Sequence, residues 1–414
     1  MATSIDKRVA SLWSNRDFMK LWSGQTISEL GSRITRDGLP LAAVMVLHAG
    51  PFEMGILRAV GGAAVLVFGL YAGLWVDRLR RRPIMVLADI GRALCLGAIP
   101  VAAFAHRLTM PLLYVITAVA GILTVFFDVA YQTYLPSLVE REKVLEGNSK
   151  LAMSSSLAEV LGPGLTGVLV QALTAPVAIL FDAISFLVSA ASVAAIRKPE
   201  RPPPVAPSGA PFHEAVAGLK FIRSQPVLRA LAGFWACAYF CFGVFGPLYV
   251  LYAIRDLGMG PLLLQLAITC GGIANLASGA TARRISQRFG LGATLIAASL
   301  VLGLGTFLIP LAHGSVAVST TYIVLSQIVC DYSFVIISVH EISLRQTLAP
   351  ENVLGRVNAS MRMLTFGVLP LGALAGGALA AVWGVRTTMF AAAAGSVLAA
   401  GWLIWSPLRR SLVL

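Results

Sequence analysis

Glu29, Arg33 and Asp37 fall at i, i+4 and i+8 inside one long apolar run, so on a helix they stack along one face and the arginine can reach either acid. Arg36 lies beside them. An ionised side chain at the centre of a bilayer costs about 2.5–3.5 kcal/mol on insertion scales, so each of these residues needs a partner or a water-filled cavity. Two readings follow. Either the face lines a cavity in which Asp37 or Glu29 exchanges a proton in competition with a substrate, or the charges form a self-neutralised structural ladder near the helix end. Asp331, with Gln327 one turn before it, poses the same question late in the chain, and Asp128, Tyr131 and Gln132 form a third polar group. Asp182 and Glu159 also lie in apolar runs, where they read as coupling acids or as hydrogen-bonded packing residues.

Other chemistries lack their residues. His340-Glu341 and His213-Glu214 each begin a zinc-protease-like string, but no histidine follows three residues after either glutamate, so the paired metal ligands are missing. Neither a Walker loop nor a Gly-x-Ser-x-Gly nucleophile occurs, which excludes nucleotide-driven pumping and serine hydrolysis of those types. Cys95, Cys237, Cys241, Cys270 and Cys330 all lie within apolar runs; neither a disulfide framework nor a metal site is expected, and the chain is expected not to be an enzyme.

The elements that would position these residues follow from composition. With 57% hydrophobic and 12% charged residues, the 414-residue chain has about half the charge of an ordinary globular protein. Crossing a hydrocarbon layer about 30 Å thick takes roughly 20 apolar residues with every backbone group satisfied inside the segment. Cutting the sequence at charge bursts, proline and glycine gives twelve such runs, near 18–47, 54–76, 84–106, 112–134, 151–173, 176–196, 228–253, 260–282, 290–312, 316–340, 359–382 and 387–407. The first run lacks a signal-peptide cleavage pattern and is expected to stay in the protein.

The net charge of +13 is distributed as topology rather than as a nucleic-acid footprint. Loops on one side carry nearly all the loop lysines and arginines, while the other side has only Arg107, Arg255 and Arg386. Both termini are therefore expected in the cytoplasm, in a multi-pass protein of the cell membrane. Residues 197–227 form the one long loop, with a Pro-rich run from Arg201 and a stretch from Phe212 to Ile222 able to form an amphipathic helix. It separates two expected six-helix bundles, 1–196 and 228–414. Gly73-Leu-Trp-Val-Asp77-Arg78 ends the second run and Gly279-Ala-Thr-Ala-Arg283-Arg284 the eighth, almost half the chain apart, as in a parallel two-fold repeat.

The segment Gly73-Leu-Trp-Val-Asp77-Arg78-Leu-Arg80-Arg81-Arg82 resembles the signature between helices 2 and 3 of the major facilitator superfamily, and Arg283-Arg284-Ile-Ser-Gln-Arg288 resembles its degenerate second copy. Leu135-Pro-Ser-Leu-Val139, Leu161-Gly162-Pro163-Gly164, Gly218-Leu-Lys-Phe221 and Leu354-Gly355-Arg356-Val357-Asn358 look like the branch containing enterobactin and macrolide exporters. The loop signature departs from the common pattern at Trp75 and at Arg80, where glycine is usual.

The resemblance implies an all-α membrane protein of twelve transmembrane helices in two pseudo-symmetric six-helix bundles, with helices 1, 4, 7 and 10 around a central cavity. It implies a secondary active transporter working by alternating access. Of the functions available, the leading one is proton-coupled export of an amphipathic small molecule such as a drug, siderophore or secondary metabolite. Proton-symport uptake of a nutrient and a non-transporting sensor or membrane partner are the alternatives.

Under that reading Glu29, Arg33, Arg36, Asp37 and Asp331 carry proton and substrate coupling, and Asp128, Tyr131, Gln132, Trp235, Tyr239 and Gln327 line the cavity. Gly73, Asp77, Arg78, Arg81, Arg82, Asp89, Arg92, Arg283, Arg284, Arg356 and Arg362 form a gate, in which Asp77 meets the start of helix 11. Gly162, Pro163, Gly164 and Gly167 resemble the antiporter motif of exporters. Expected partners are the substrate, protons and the lipid bilayer, with no nucleic acid and no cofactor beyond the proton gradient, and a monomer is expected.

Overall fold

The computed structural model describes residues 12–76, 79–200 and 211–409. Its transmembrane helices are α1 (Arg16–Met45), α2 (Pro51–Val76), α3 (Arg81–Phe104), α4 (Met110–Leu138), α5 (Val144–Ala172) and α6 (Ala175–Ala194) in the first half. The linker contributes α7 (Pro211–Ser224). The second half follows as α8 (Pro226–Leu251), α9 (Pro261–Phe289), α10 (Leu291–Leu311), α11 (Val316–Leu348), α12 (Glu351–Trp383) and α13 (Val385–Ala399), the last continued by Gly401–Ile404. No strand occurs among the described residues.

Among the described residues, eleven spans are long and apolar enough to cross a membrane by composition alone, and α1 is not among them. Its 30 residues extend about 45 Å, but Lys20, Glu29, Arg33, Arg36 and Asp37 dilute its hydropathy. α1 crosses because it packs along α6 and α5, which lets its polar residues face protein and cavity. α5, α9, α11 and α12 also run about two turns beyond the apolar stretches read from sequence. Hydropathy ends where charges begin, whereas a helix continues through Ser, Arg and Gln until a cap or a turn stops it.

The two halves repeat one packing scheme. In the first, α1 packs on α5 and α6, α3 on α4 and α6, and α2 on α4; in the second, α8 packs on α12 and α13, α10 on α11 and α13, and α9 on α11. Three prolines inside helices recur at equivalent places, Pro40 with Pro247, Pro100 with Pro310 and Pro163 with Pro370, each pair separated by about half the chain. Glycine closes two of the tightest connections. Gly290 between α9 and α10, and Gly384 between α12 and α13, each serve as the cap of both helices at φ 83°, which a residue with a Cβ rarely adopts.

Contact between the halves obeys the same symmetry: α2 packs on α12, and α5 on α9. A Cβ on Gly55 of α2 would lie 2.6 Å from the Ala373 carbonyl oxygen and 3.0 Å from the Gly377 Cα of α12. One on Gly167 of α5 would lie 3.1 Å from the Leu262 Cα of α9. These three contacts lie toward the face that carries the α1–α2, α5–α6, α8–α9 and α12–α13 connections. Toward the opposite face, nothing comes within 4 Å of a Cβ built on Gly69 or Gly279. The halves are thus in close contact on the face opposite the α2–α3 turn.

Candidate functional site

The α1 ladder is anchored from α5. Arg33 Nε donates to Asp37 Oδ2 at 3.0 Å, and its Nη1 pairs with Glu159 Oε1 of α5, which also accepts through Oε2 from Arg36 Nη2 at 2.6 Å. Glu29 takes no part in this pairing. Arg33 reaches across because Gly162, one turn after Glu159 on α5, leaves room: a Cβ there would lie 2.7 Å from the Arg33 Cβ. The signal for this role was present in the sequence, since Glu159 and Gly162 stand three residues apart and so share a helical face.

Opposite this cluster is a cavity of about 460 Å³ in the second half, lined by Phe242, Phe245 and Tyr249 of α8, Asn275 of α9, and Gln327 and Asp331 of α11, with Glu159 at its edge. Asp331 makes no ion pair or hydrogen bond among the described residues, and its carboxylate leans on Gly271 of α9, where any side chain would strike it. It lies within electrostatic reach of both Arg33 and Glu159. Glu159 of the first half and Asp331 of the second thus line one cavity, and Arg33 links Glu159 to Asp37.

The third group lies apart from it, on the first half. Glu29, Asp128 and Tyr131 are within electrostatic reach of one another, with the Tyr131 ring stacked on Phe127 at 6.0 Å, and Gln132 is exposed beside them. Trp235 and Tyr239 do not reach the wall of the 460 Å³ cavity. Trp235 is buried in the core of the second half, and Tyr239 packs against Trp235, Phe242, Phe334 and Phe366, so both stiffen the aromatic layer behind Phe242 and Phe334.

Asp89 and Arg92 pair with each other, buried, within α3. The Arg92 guanidinium lies over Phe127 at 4.3 Å and Phe186 at 4.0 Å, so its contacts bind α3 to α4 and α6 inside the first half. Asp182 is likewise buried in the first half and accepts from Ser185 at 3.0 Å.

Of the residues assigned to the gate, Asp77 and Arg78 lie outside the described residues, and for Gly73 only its place in α2 is described. The backbone N–H groups of Arg81 and Arg82, at the start of α3, donate to the Glu200 carboxylate at 2.6 and 3.2 Å, an anion held at a helix N-terminus. The Arg82 side chain donates to the carbonyls of Val193 and Ala194 at the end of α6. Arg283, Arg284, Arg356 and Arg362 are exposed. The start of α12 is covered by α7, where Gly218 fits against the Arg356 carbonyl and the Ser360 hydroxyl.

The antiporter-like motif serves two faces of α5. Gly162 admits Arg33, whereas Gly164 faces Thr269 and Gly167 faces Gln265 and Leu262, all on α9 of the other half. Pro163 lies between them inside the helix.

Comparison with known proteins agrees with this architecture. The chain is 28% identical over 368 residues to the multidrug efflux pump Tap of Mycolicibacterium fortuitum, covering 84% of this chain and 85% of Tap. It is 24% identical over 349 residues to the enterobactin exporter EntS of Salmonella typhimurium, covering 82% and 80%. The solved structure of the nucleoside transporter NupG superposes with a TM-score of 0.76 at 12% identity, over 96% of this chain and all of that one, a likeness of fold. The family model described as Major Facilitator Superfamily matches residues 21–370. Twelve helices in two repeated halves and a family match over most of the sequence make this chain a member of the Major Facilitator Superfamily.

Proposed function

We propose that the protein exports an amphipathic organic molecule, such as a drug, siderophore or secondary metabolite, in exchange for protons. The observation that carries this reading is that Glu159 and Asp331, from opposite halves, line one cavity, with Arg33 joining Glu159 to Asp37 and Arg36 also held by Glu159. Tap and EntS, both named as exporters, support the direction. The monomer needs no bound cofactor, because the proton gradient supplies the energy. Both termini are cytoplasmic by the bias of lysine and arginine, so the face on which Gly55 and Gly167 meet the other half is the outer one.

Substrate binds from the cytoplasmic side while the acids are deprotonated. The halves rock about the site, and the contacts of α2 with α12 and of α5 with α9 open. A proton arriving from outside on Asp37 or Glu159 then weakens its hold on Arg33, the freed guanidinium changes the field at Asp331, and substrate leaves outward. The protonated protein swings back and releases the proton to the cytoplasm. Carboxyls can serve this role because gaining or losing a proton switches their charge and so their hold on a guanidinium.

The test is accumulation of fluorescent amphipathic compounds in cells expressing wild type, Asp37→Asn, Glu159→Gln or Asp331→Asn, with and without an uncoupler. Lower accumulation with wild type, abolished by the uncoupler and by these substitutions, supports proton-linked export. Higher accumulation in expressing cells would instead indicate uptake, and a folded protein with no effect on any compound in the panel would count against transport of this class.

A further inference from the structure

Two charges beside the cavity lack partners, and they have opposite signs. On the second half it is Asp331. On the first half it is Arg58 of α2, which makes no ion pair, hydrogen bond or ring contact among the described residues. Arg58 is exposed rather than sealed in the core. It abuts α8 at Gly246, with its Nε 3.5 Å from a Cβ built there, and Gly246 itself lines the 460 Å³ cavity.

The remaining charges near the cavity nearly cancel. Arg33 and Arg36 are neutralised by Asp37 and Glu159. Arg58 is within electrostatic reach of Asp37, but that carboxylate is already committed to Arg33. This leaves one excess positive charge on the first half, Arg58 against the back of the cavity at Gly246, and one negative charge, Asp331, on the cavity wall of the second half.

Between the two runs an apolar strip of α8. Phe242, Phe245, Gly246 and Tyr249 follow at helical spacing, all line the cavity, and Gly246 meets Arg58. The Tyr249 hydroxyl is buried with no hydrogen-bond partner and lies within electrostatic reach of both Asp37 and Asp331. A buried hydroxyl costs free energy until something bonds to it, so its position marks where a polar atom of an occupant belongs.

Resting on the transport reading above, we infer that the preferred occupant is an amphipathic zwitterion. Its cationic group meets Asp331, its carboxylate or other anionic group meets Arg58, and its aromatic or apolar body lies along Phe242, Phe245 and Tyr249. A guanidinium recognises a carboxylate through two parallel N–H donors. A cation beside aromatic rings gains from their faces as well as from the acid. Such a ligand also ties the halves together, since its two ends are held by different bundles.

The test uses rhodamine B, a zwitterion at neutral pH, and its ethyl ester, the same chromophore carrying a positive charge alone. Binding to purified protein in nanodiscs is read by fluorescence anisotropy, with empty nanodiscs subtracted. Wild type is expected to bind rhodamine B at least fivefold more tightly than the ester. Arg58→Gln removes that preference by weakening rhodamine B while leaving the ester within about twofold, which also shows that the variant is folded. Asp331→Asn weakens both dyes at least fivefold. Equal or tighter binding of the ester by wild type, a preference that survives Arg58→Gln, or no binding of either dye overturns the inference. Binding needs no gradient, so a protein that discriminates between the dyes but fails to lower cellular accumulation would refute export and leave the zwitterion site standing.

Discussion

Gly162 of α5 stands where the side chain of Arg33 of α1 leaves its helix, so the ion pair that centres on Glu159 exists by permission of a glycine. A methyl group at that place would meet the Arg33 Cβ at 2.7 Å and would force α1 and α5 apart or turn the arginine out of the cluster. Gly162→Ala is therefore expected to lower uncoupler-sensitive export at least tenfold. Gly164→Ala, two residues on, meets only the Thr269 hydroxyl at 3.4 Å, ordinary contact, and should change export less than twofold. Parallel accumulation assays at matched membrane levels separate the two; equal effects would show that the motif acts through helix packing in general.

Glu159→Gln keeps the shape of the side chain and removes the charge that neutralises Arg33 and Arg36. If Glu159 takes part in coupling, gradient-driven export falls at least tenfold while exchange of labelled for unlabelled substrate across proteoliposomes, which needs no net proton movement, keeps more than half its rate. Loss of both activities together would place Glu159 in substrate binding or in folding.

The pair Asp89 and Arg92 supplies a prediction about stability. Removing one member of a buried pair strands the other charge, at a cost of about 3–5 kcal/mol. Arg92→Met should accordingly lower the unfolding free energy of the detergent-solubilised protein by that order, and adding Asp89→Asn should recover much of it because neither charge is then left unpaired. A denaturant series on the two variants checks this, and additive losses would mean that the cation–π contacts to Phe127 and Phe186 dominate over the ion pair.

Much of this architecture was readable from spacing. The twelve spans emerge because lipid tolerates only long apolar runs, and the repeat shows in Gly73 and Gly279, with a stronger version in the paired prolines at 40 and 247, 100 and 310, and 163 and 370. Less was readable about the site. Arg33 offered a choice between Glu29 and Asp37 along its own helix, and its second partner came from α5, 126 residues away, which no helical periodicity can indicate. Trp235 and Phe242 are both aromatic residues of α8, yet one is buried behind the wall and the other forms it, because a helix surrounded by neighbours has no polar face to disclose its orientation. Arg58 was visible as a charge in a span, but its lack of a partner is a property of the packed molecule alone.

The close approach of Gly55 to Ala373 and Gly377, and of Gly167 to Leu262, has a mechanical side. Where the halves meet, main chain faces main chain, and main chain has no rotamers. A barrier built from long side chains can flicker as they swing, admitting water for moments while the fold stays still. A barrier built from abutting helix backbones opens only when whole bundles move. Protons then have no route past the closed face that does not also require the motion that carries substrate, so leak and transport are tied to a single large displacement.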